Sequence, residues 1–275
     1  MHCPPERTNR PVKIHPTAII DPGAELGADV VVGAYSVIDA NVVVGARTVI
    51  GPHVHVTGYT TIGEDCTLST STILGQPPQD RKYRSGTKSY LKIGHRNVLR
   101  EFVTMHLAVG EGNTTIVGDD NMIMAYCHVG HNCVIGNNVC MANYVGVSGG
   151  CIIDDRVVLG GMSGIHQNVH IGRLVMVGGY CKVTHDVPPF VIIDGPPSKL
   201  HGLNSVGLRR VDFPTELRGY LKQAFRIVCY GQRNLTIALA EARQAVPQVP
   251  EVEEFLQFME RSGRSGRHLD PMRAR

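Results

Sequence analysis

The sequence predicts an all-β parallel solenoid wound from six-residue repeats, followed by a small α-helical domain. Three observations carry this expectation. A large aliphatic residue returns every six positions over most of the chain, and a small residue returns four positions after each of them. After Pro214 the apolar spacing changes to threes and fours.

The first track opens Ile14, Ile20, Leu26, Val32 and Ile38 and stays in step to Leu74. It returns at Ile93, Leu99 and Met105, then resumes at Val117 and runs through Ile123, Val129 and Ile135 to Val183. The second track includes Ala18, Val30, Ser36, Thr48 and Cys66, and later Cys127, Cys133, Val145, Cys151, Ser163 and Cys181. One large and one small inward residue per repeat suits a short strand and a tight turn, stacked in parallel so that both tracks tile the interior. Gly often follows the aliphatic, as at Gly27, Gly33, Gly45, Gly51 and Gly63, where a positive φ or a close approach of two backbones is expected. An amphipathic helix needs apolar spacings of three and four, which this beat does not supply.

Two polar stretches, 76–90 (QPPQDRKYRSGTKSY) and 107–115 (LAVGEGNTT), break the beat and are expected to loop out. The register ends at Asp186-Val187-Pro188-Pro189. The expected organisation is an N-terminal extension over 1–13, the solenoid over 14–195, and a helical domain with its tail over 196–275. One helix is expected to carry Leu217, Leu221, Phe225 and Val228, with Asp212 or Thr215 as its cap. A second is expected from Leu235 to Ala245 and a third from Pro250, before a Gly/Arg/Ser-rich tail.

Composition narrows the function. The chain has 275 residues, no Trp and a formal net charge of +3, too mild to argue for nucleic acid. No secretory segment opens the sequence and no apolar run of about eighteen residues is present, so a cytoplasmic protein without a membrane span is expected. The 8 Cys form no CxxC pair. Those at 66, 127, 133, 151 and 181 fall on the small track and read as core residues rather than ligands or disulfides.

The histidines point to chemistry. His128 precedes an interior aliphatic and His166 follows one, so both should face outward, and His131 lies near a corner. Eighteen positions beyond His131 stands Gly149, and eighteen further stands Gln167. If one coil holds three repeats, the three residues stack in a column with steps of ~4.8 Å. That column offers a base, a main-chain N–H donor and a positioning amide. A solvated surface imidazole is the bland alternative for any one of them. Three imidazoles meeting across copies of the chain would instead hold zinc, though no cofactor or metal is expected here.

The repeat resembles the hexapeptide-repeat family, whose fold is a left-handed triangular prism with three repeats per coil and whose members are homotrimers with sites between subunits. By this resemblance the expected fold class is an all-β left-handed parallel β-helix with a small C-terminal α-helical domain. The γ-class carbonic anhydrases share that prism, but their H-x4-H zinc spacing is not matched by His128 and His131 or by His166 and His170.

A closer resemblance lies in AYCHVGHNCVIGNN, GMSGIHQ, MVGG, DVPPF, NSVGLRR and the QPPQDRKY loop. These are similar to the UDP-N-acetylglucosamine O-acyltransferases of lipid A biosynthesis, from Ile14 to about Phe258. The resemblance implies that His131 is the general base, taking the proton of the sugar 3-hydroxyl as that oxygen attacks the thioester of a hydroxyacyl carrier protein. It implies that the Gly149 N–H stabilises the oxyanion. Gln79, Asp80 and Lys82 would hold substrate on behalf of a neighbouring subunit, and His106 would lie near the nucleotide phosphates. His128, His166 and Gln167 would touch acceptor and acyl chain, Asn204 and Arg210 the nucleotide, and Gly179 with Pro197 would set acyl length. Arg81, Arg84, Arg209 and Arg210 are candidates for attracting the acidic carrier. The implied partners are acyl carrier protein, UDP-N-acetylglucosamine and two further copies of the chain.

Three positions depart from the family's pattern: Asn132 replaces the usual Asp, Gly150 the common His and Leu107 the usual Arg. The alternatives are an acyltransferase acting on a related UDP-amino sugar, a trimeric metal-dependent hydratase, and a non-catalytic scaffold. The sibling N-acyltransferases carry an N-terminal uridine-binding domain, for which repeats starting at Ile14 are expected to leave no room. His131, Gly149 and the QDxK loop together speak against the scaffold.

Overall fold

The computed structural model describes residues 13–196, 198–230 and 234–264. They gather into two compact units, one running to Tyr126 and including Gly130–Asn132, the other formed by Cys127–Val129 and the chain from Cys133 onward.

In the first unit, short strands alternate with turns, and each pairs in parallel with the strand one coil on, eighteen residues away before the loops and 31 or 24 where a loop lengthens the coil, as from Thr61 to Lys92 and from Lys92 to Ile116. Val31 faces Val49, Val37 faces His55 and Val43 faces Thr61, which makes three sheets of different phase, here a, b and c in that order. The second unit repeats the three phases: Cys140 pairs with Val158 in phase a, His128 with Gly146 in phase b and Val134 with Ile152 in phase c. Each unit is therefore a parallel β-helix. Its core is the two tracks: Val32, Ile62, Leu74 and Met105 are buried in one unit, and Val129, Met141, Ile165 and Val183 in the other. On the small track Thr48, Cys66, Cys133 and Cys151 are buried with them.

The glycines after the aliphatics serve close approach and not positive φ. A Cβ on Gly45 would lie 2.5 Å from the Gly63 carbonyl carbon, and one on Gly33 2.6 Å from that of Gly51. The left-handed residue comes two positions later, as at Tyr35, Arg47, His53 and Asp65. Gly45→Ala is accordingly expected to destabilise the protein by about 3 kcal/mol, as overpacking against rigid backbone does. Thermal unfolding checks this, and an unchanged melting temperature would contradict it.

Each corner of the first unit has its own chemistry. The turn from phase c to phase a carries Asp29, Arg47, Asp65, Arg96 and Asp120, all with left-handed φ. Arg47 donates to Asp65 at 2.7 Å and Arg96 to Asp120 at 2.7 Å. These guanidinium partners hold both carboxyls below the usual carboxylate range. The turn from a to b carries Tyr35, His53, Ser71, Phe102 and Tyr126.

Several expected boundaries move. Gln76 and Tyr90 belong to strands, so the first loop spans 77–89. Leu107 and Ala108 are buried and the next strand starts at Thr114, so the second stretch leaves the β-helix only over 109–113. Burial of two apolar residues outweighs the polar text around them. Beyond Val183 one more rung forms, where Val177 pairs with Ile193 only sixteen residues on. The Pro188-Pro189 pair shortens that coil and hides it from a six-residue count.

The region expected to be helical from 196 begins instead as a strand, Lys199–Leu203, antiparallel to Val191–Asp194. Gly195, at φ 89°, permits the reversal. Four helices follow: α1 (Ser205–Arg210), α2 (Thr215–Tyr230), α3 (Leu235–Ala245) and α4 (Pro250–Arg264). With six residues, α1 is too short to show a period in sequence. Neither expected cap serves α2. Asp212 is left-handed at φ 58°, and Arg218 donates its backbone N–H to the Pro214 carbonyl at 3.0 Å. Phe255, Leu256 and Met259 bury one face of α4. Its Glu254 accepts from Arg173 at 2.7 Å, and burial outweighs that partner and pushes the carboxyl above its ordinary range.

Candidate active site

In the first unit the 77–89 loop and the 109–113 turn meet around His131. The loop leaves the strand Ile73–Gln76 through a bulge at Gly75, φ 81°, where a Cβ would lie 2.0 Å from the Thr57 carbonyl oxygen. That bulge sets Gln76 opposite His106. His106 is buried, and its Nδ1 donates to the Pro77 carbonyl at 2.7 Å, because a carbonyl only accepts. The loop and turn are tied together: Lys88 N–H donates to Glu111 Oε2 at 3.0 Å and Gly112 N–H to the Lys88 carbonyl at 2.9 Å.

Asp80 Oδ1 accepts the Lys82 N–H at 2.7 Å, which curls the loop, and Asp80 Oδ2 lies 3.4 Å from His131 Nε2. The resemblance assigned this loop to a neighbouring subunit. The structure brings Asp80 to His131 of its own chain, because the loop is short and pinned at Lys88. Gln79 and Lys82 share the loop with exposed side chains.

The other face of the imidazole is held by Asn132. Asn132 Oδ1 accepts the Val109 N–H at 2.8 Å, and its Nδ2 donates to the Val109 carbonyl at 3.1 Å. Its own N–H donates to the buried Thr115 Oγ1 at 2.8 Å, and its φ of 59° is one that Asn tolerates well. The Val109 peptide thus decides which atom of the amide is oxygen. His131 Nδ1 lies 2.8 Å from that oxygen and must carry the proton that bridges them. In the neutral ring Nε2 is then the lone-pair nitrogen, aimed at the side where Asp80 stands. Thr115 and Val109 were not legible as site residues, since both act through backbone or from a buried position.

The second unit supplies a different surface. His128, half-buried, starts an outward phase-b row that continues Gly146, Gly164 and Lys182. A Cβ on Gly146 or Gly164 would meet nothing within 4 Å, so bare backbone floors a shelf between an imidazole and an ammonium group. The Gly149 carbonyl accepts the Asn168 N–H at 3.0 Å, while among the described residues its own N–H donates to none. His166 and Gln167 are exposed beside it in sequence, and Gly179 is exposed at a corner. Pro197 lies outside the described residues.

Arg210 ends α1 and lines a cleft of about 390 Å³ with Arg156, Arg173 and Asp212. Arg173 is stacked on Phe190, 4.7 Å from the ring centroid. Asn204 is buried. Its Oδ1 accepts the Gly207 N–H at 2.9 Å and its Nδ2 donates to the Leu174 carbonyl at 2.8 Å, so it is the buried cap that aims α1 and Arg210. Among the described residues no three His, Cys, Asp or Glu side chains of one chain come together as a metal site, and no helix is long and apolar enough to cross a membrane.

Coils of six-residue repeats define the hexapeptide-repeat class, and residues 114–149 match the bacterial transferase hexapeptide model. Residues 186–267 match the second domain of UDP N-acetylglucosamine O-acyltransferase. The chain is 59% identical over 236 residues to the acyl-[acyl-carrier-protein]–UDP-N-acetylglucosamine O-acyltransferase of Chlorobaculum tepidum, covering 86% of this chain and 89% of that one. It is 44% identical over 237 residues to the protein of the same name from Thermodesulfovibrio yellowstonii, covering 86% and 92%. The crystal structure of UDP-N-acetylglucosamine O-acyltransferase from Moraxella catarrhalis RH4 matches with a TM-score of 0.87 at 35% identity, over 93% of this chain and 98% of that one. The chain belongs to the UDP-N-acetylglucosamine O-acyltransferase family, with its left-handed β-helix and C-terminal helical part.

Proposed function

We propose that this chain transfers a 3-hydroxyacyl group from acyl carrier protein to the 3-hydroxyl of UDP-N-acetylglucosamine, the first step of lipid A biosynthesis, as a cytoplasmic homotrimer. The observation that carries the reading is the His131–Asn132–Val109 arrangement, which leaves Nε2 as the basic nitrogen. In this reading Nε2 takes the sugar hydroxyl proton as the oxygen attacks the thioester carbonyl. Negative charge grows on the carbonyl oxygen and is met by the Gly149 N–H, a donor worth about 3 kcal/mol in such a place. The tetrahedral intermediate collapses, the C–S bond breaks, and the imidazolium returns its proton to the departing thiolate of the carrier. Asp80, beside Nε2, stabilises the imidazolium in between.

The remaining residues fit supporting roles. Gln79, Lys82 and His106 bind the acceptor on the first unit. His128, His166 and Gln167 line the acceptor and acyl side, where the Gly146–Gly164 shelf suits a flat-lying alkyl chain. Arg210, with Arg156 and Arg173, suits a diphosphate. A cleft of about 510 Å³ bearing Arg209, Arg218, Lys222 and Arg226 suits the acidic carrier protein.

The test is an assay of thiol release from 3-hydroxyacyl carrier proteins of graded chain length, with and without UDP-N-acetylglucosamine. Release that requires the sugar nucleotide is expected for at least one length, and its absence at every length would overturn the proposal.

A further inference from the structure

Polar members of the small track make the same bond in both units. In the first, Thr48 Oγ1 donates to the Gly63 carbonyl at 2.9 Å and Cys66 Sγ to the Gly94 carbonyl at 3.2 Å. In the second, Cys133 Sγ donates to the Ser148 carbonyl at 3.1 Å and Cys151 Sγ to the His166 carbonyl at 3.1 Å. The side chain is the donor each time, because a carbonyl only accepts.

In a trans peptide the C=O and the N–H point in opposite directions. A carbonyl drawn to a buried side chain therefore turns the N–H of its own peptide away from the core. Two peptides of the first unit show what such an N–H can hold. Across from the Gly63 carbonyl stands the Glu64 N–H, which donates to His95 Nδ1 at 3.0 Å. Across from the Gly94 carbonyl stands the His95 N–H, which donates to a carboxylate oxygen, Asp119 Oδ1, at 2.8 Å. In the second unit the N–H across from the Ser148 carbonyl is that of Gly149, which donates to none of the described residues.

Little else fixes this peptide. The Ser148 N–H donates to the Ile165 carbonyl at 3.1 Å on one side of it, and the Gly149 carbonyl accepts the Asn168 N–H at 3.0 Å on the other. Between those anchors, the carbonyl and N–H of the Ser148–Gly149 peptide have one partner among the described residues, the Cys133 thiol. Gly149 has no Cβ to restrain rotation of that peptide. Cys133 is fully buried, and its contact with Cys151 together with burial pushes the thiol up, so it keeps the proton it donates.

We infer that Cys133 is a positioning residue of the acyl transfer, whose thiol turns the Gly149 N–H outward and holds it ready for the thioester oxygen as that oxygen becomes negative. The inference rests on the oxyanion role of Gly149 in the proposed function. A donor fixed before the charge develops needs no reorganisation at the moment of reaction. A bond accepted at the carbonyl also polarises the N–H of the same peptide.

The test is steady-state kinetics of the thiol-release assay on three variants, with thermal unfolding of each. Cys133→Ala should lower kcat about tenfold with KM unchanged, the low end of what removing a group that orients a functional one costs. Cys133→Ser should restore kcat to within about threefold, since a hydroxyl is also a donor. The fold accommodates a hydroxyl in this bond at Ser36, whose Oγ donates to the Gly51 carbonyl at 2.7 Å. Cys66→Ala removes the same bond where the outward N–H serves Asp119, so it should lower the melting temperature as Cys133→Ala does and keep full kcat. The positioning role is overturned, and the function left standing, by a Cys133→Ala protein with full kcat or a loss confined to KM. A Cys133→Ser protein as slow as Cys133→Ala, or a Cys66→Ala protein that loses as much kcat, overturns it equally. An unaltered protein that releases no thiol from any carrier overturns the function and this role with it.

Discussion

Replacing His131 by Ala is expected to lower kcat by roughly 10²- to 10⁴-fold, the usual contribution of a positioned general base. The geometry explains why the loss should fall on kcat. The ring is fixed by Asn132 Oδ1 at 2.8 Å on Nδ1, while the Asp80 carboxylate stands 3.4 Å from Nε2. The longer of these is too open to be a good hydrogen bond, so a hydroxyl can insert and donate to Nε2. In the proposed function, binding of the sugar nucleotide rests on other groups, the Arg210 cleft among them, and KM should move little. Steady-state kinetics with thiol detection reads both parameters. A His131→Ala protein that keeps its full kcat would remove the proposed base, while a higher KM at unchanged kcat would make His131 a binding group only.

How far this site could be read in advance depended on what kind of interaction each residue makes. The six-residue beat exposes the β-helix because Val32 or Met141 is buried by its phase alone, with no long-range partner to guess. That His131 lies at a corner emerged from the same count. The Asp80 contact did not, since it depends on where a thirteen-residue loop lands, and the loop is steered by the Gly75 bulge and by Lys88 bonding to Glu111 and Gly112. In sequence Asn204 is an Asn near two Arg, and its capping of α1 shows only in the fold. Pro188-Pro189 concealed a whole rung, because proline shortens the coil without unwinding it.

Asn132→Gly should lower kcat by about 10- to 100-fold with KM unchanged, the range found when a group that orients a functional imidazole is removed. Glycine is the informative substitution because Asn132 sits at φ 59°, where Ala would add backbone strain to the loss of the side chain. With Gly the turn persists and only the amide disappears. His131 Nδ1 then loses its fixed acceptor, and the ring is free to carry its proton on Nε2, the nitrogen that must be bare to act. The Val109 N–H and carbonyl lose their partner as well, so the 109–113 turn should loosen toward solvent. Asn132→Asp separates these effects. A carboxylate still accepts from Val109 N–H and from His131 Nδ1, but it cannot donate to the Val109 carbonyl and would face that oxygen at about the 3.1 Å now spanned by a hydrogen bond. It also favours the charged imidazole. Activity should therefore return most of the way, with the acid-side fall of the rate profile displaced to higher pH, a signature that a purely structural Asn132 would not produce. In the proposed role the Asn132 amide works by direction, since the Val109 peptide tells it which way to point. Equal kcat values for Asn132→Gly and the unaltered protein would show that the ring needs no such guidance.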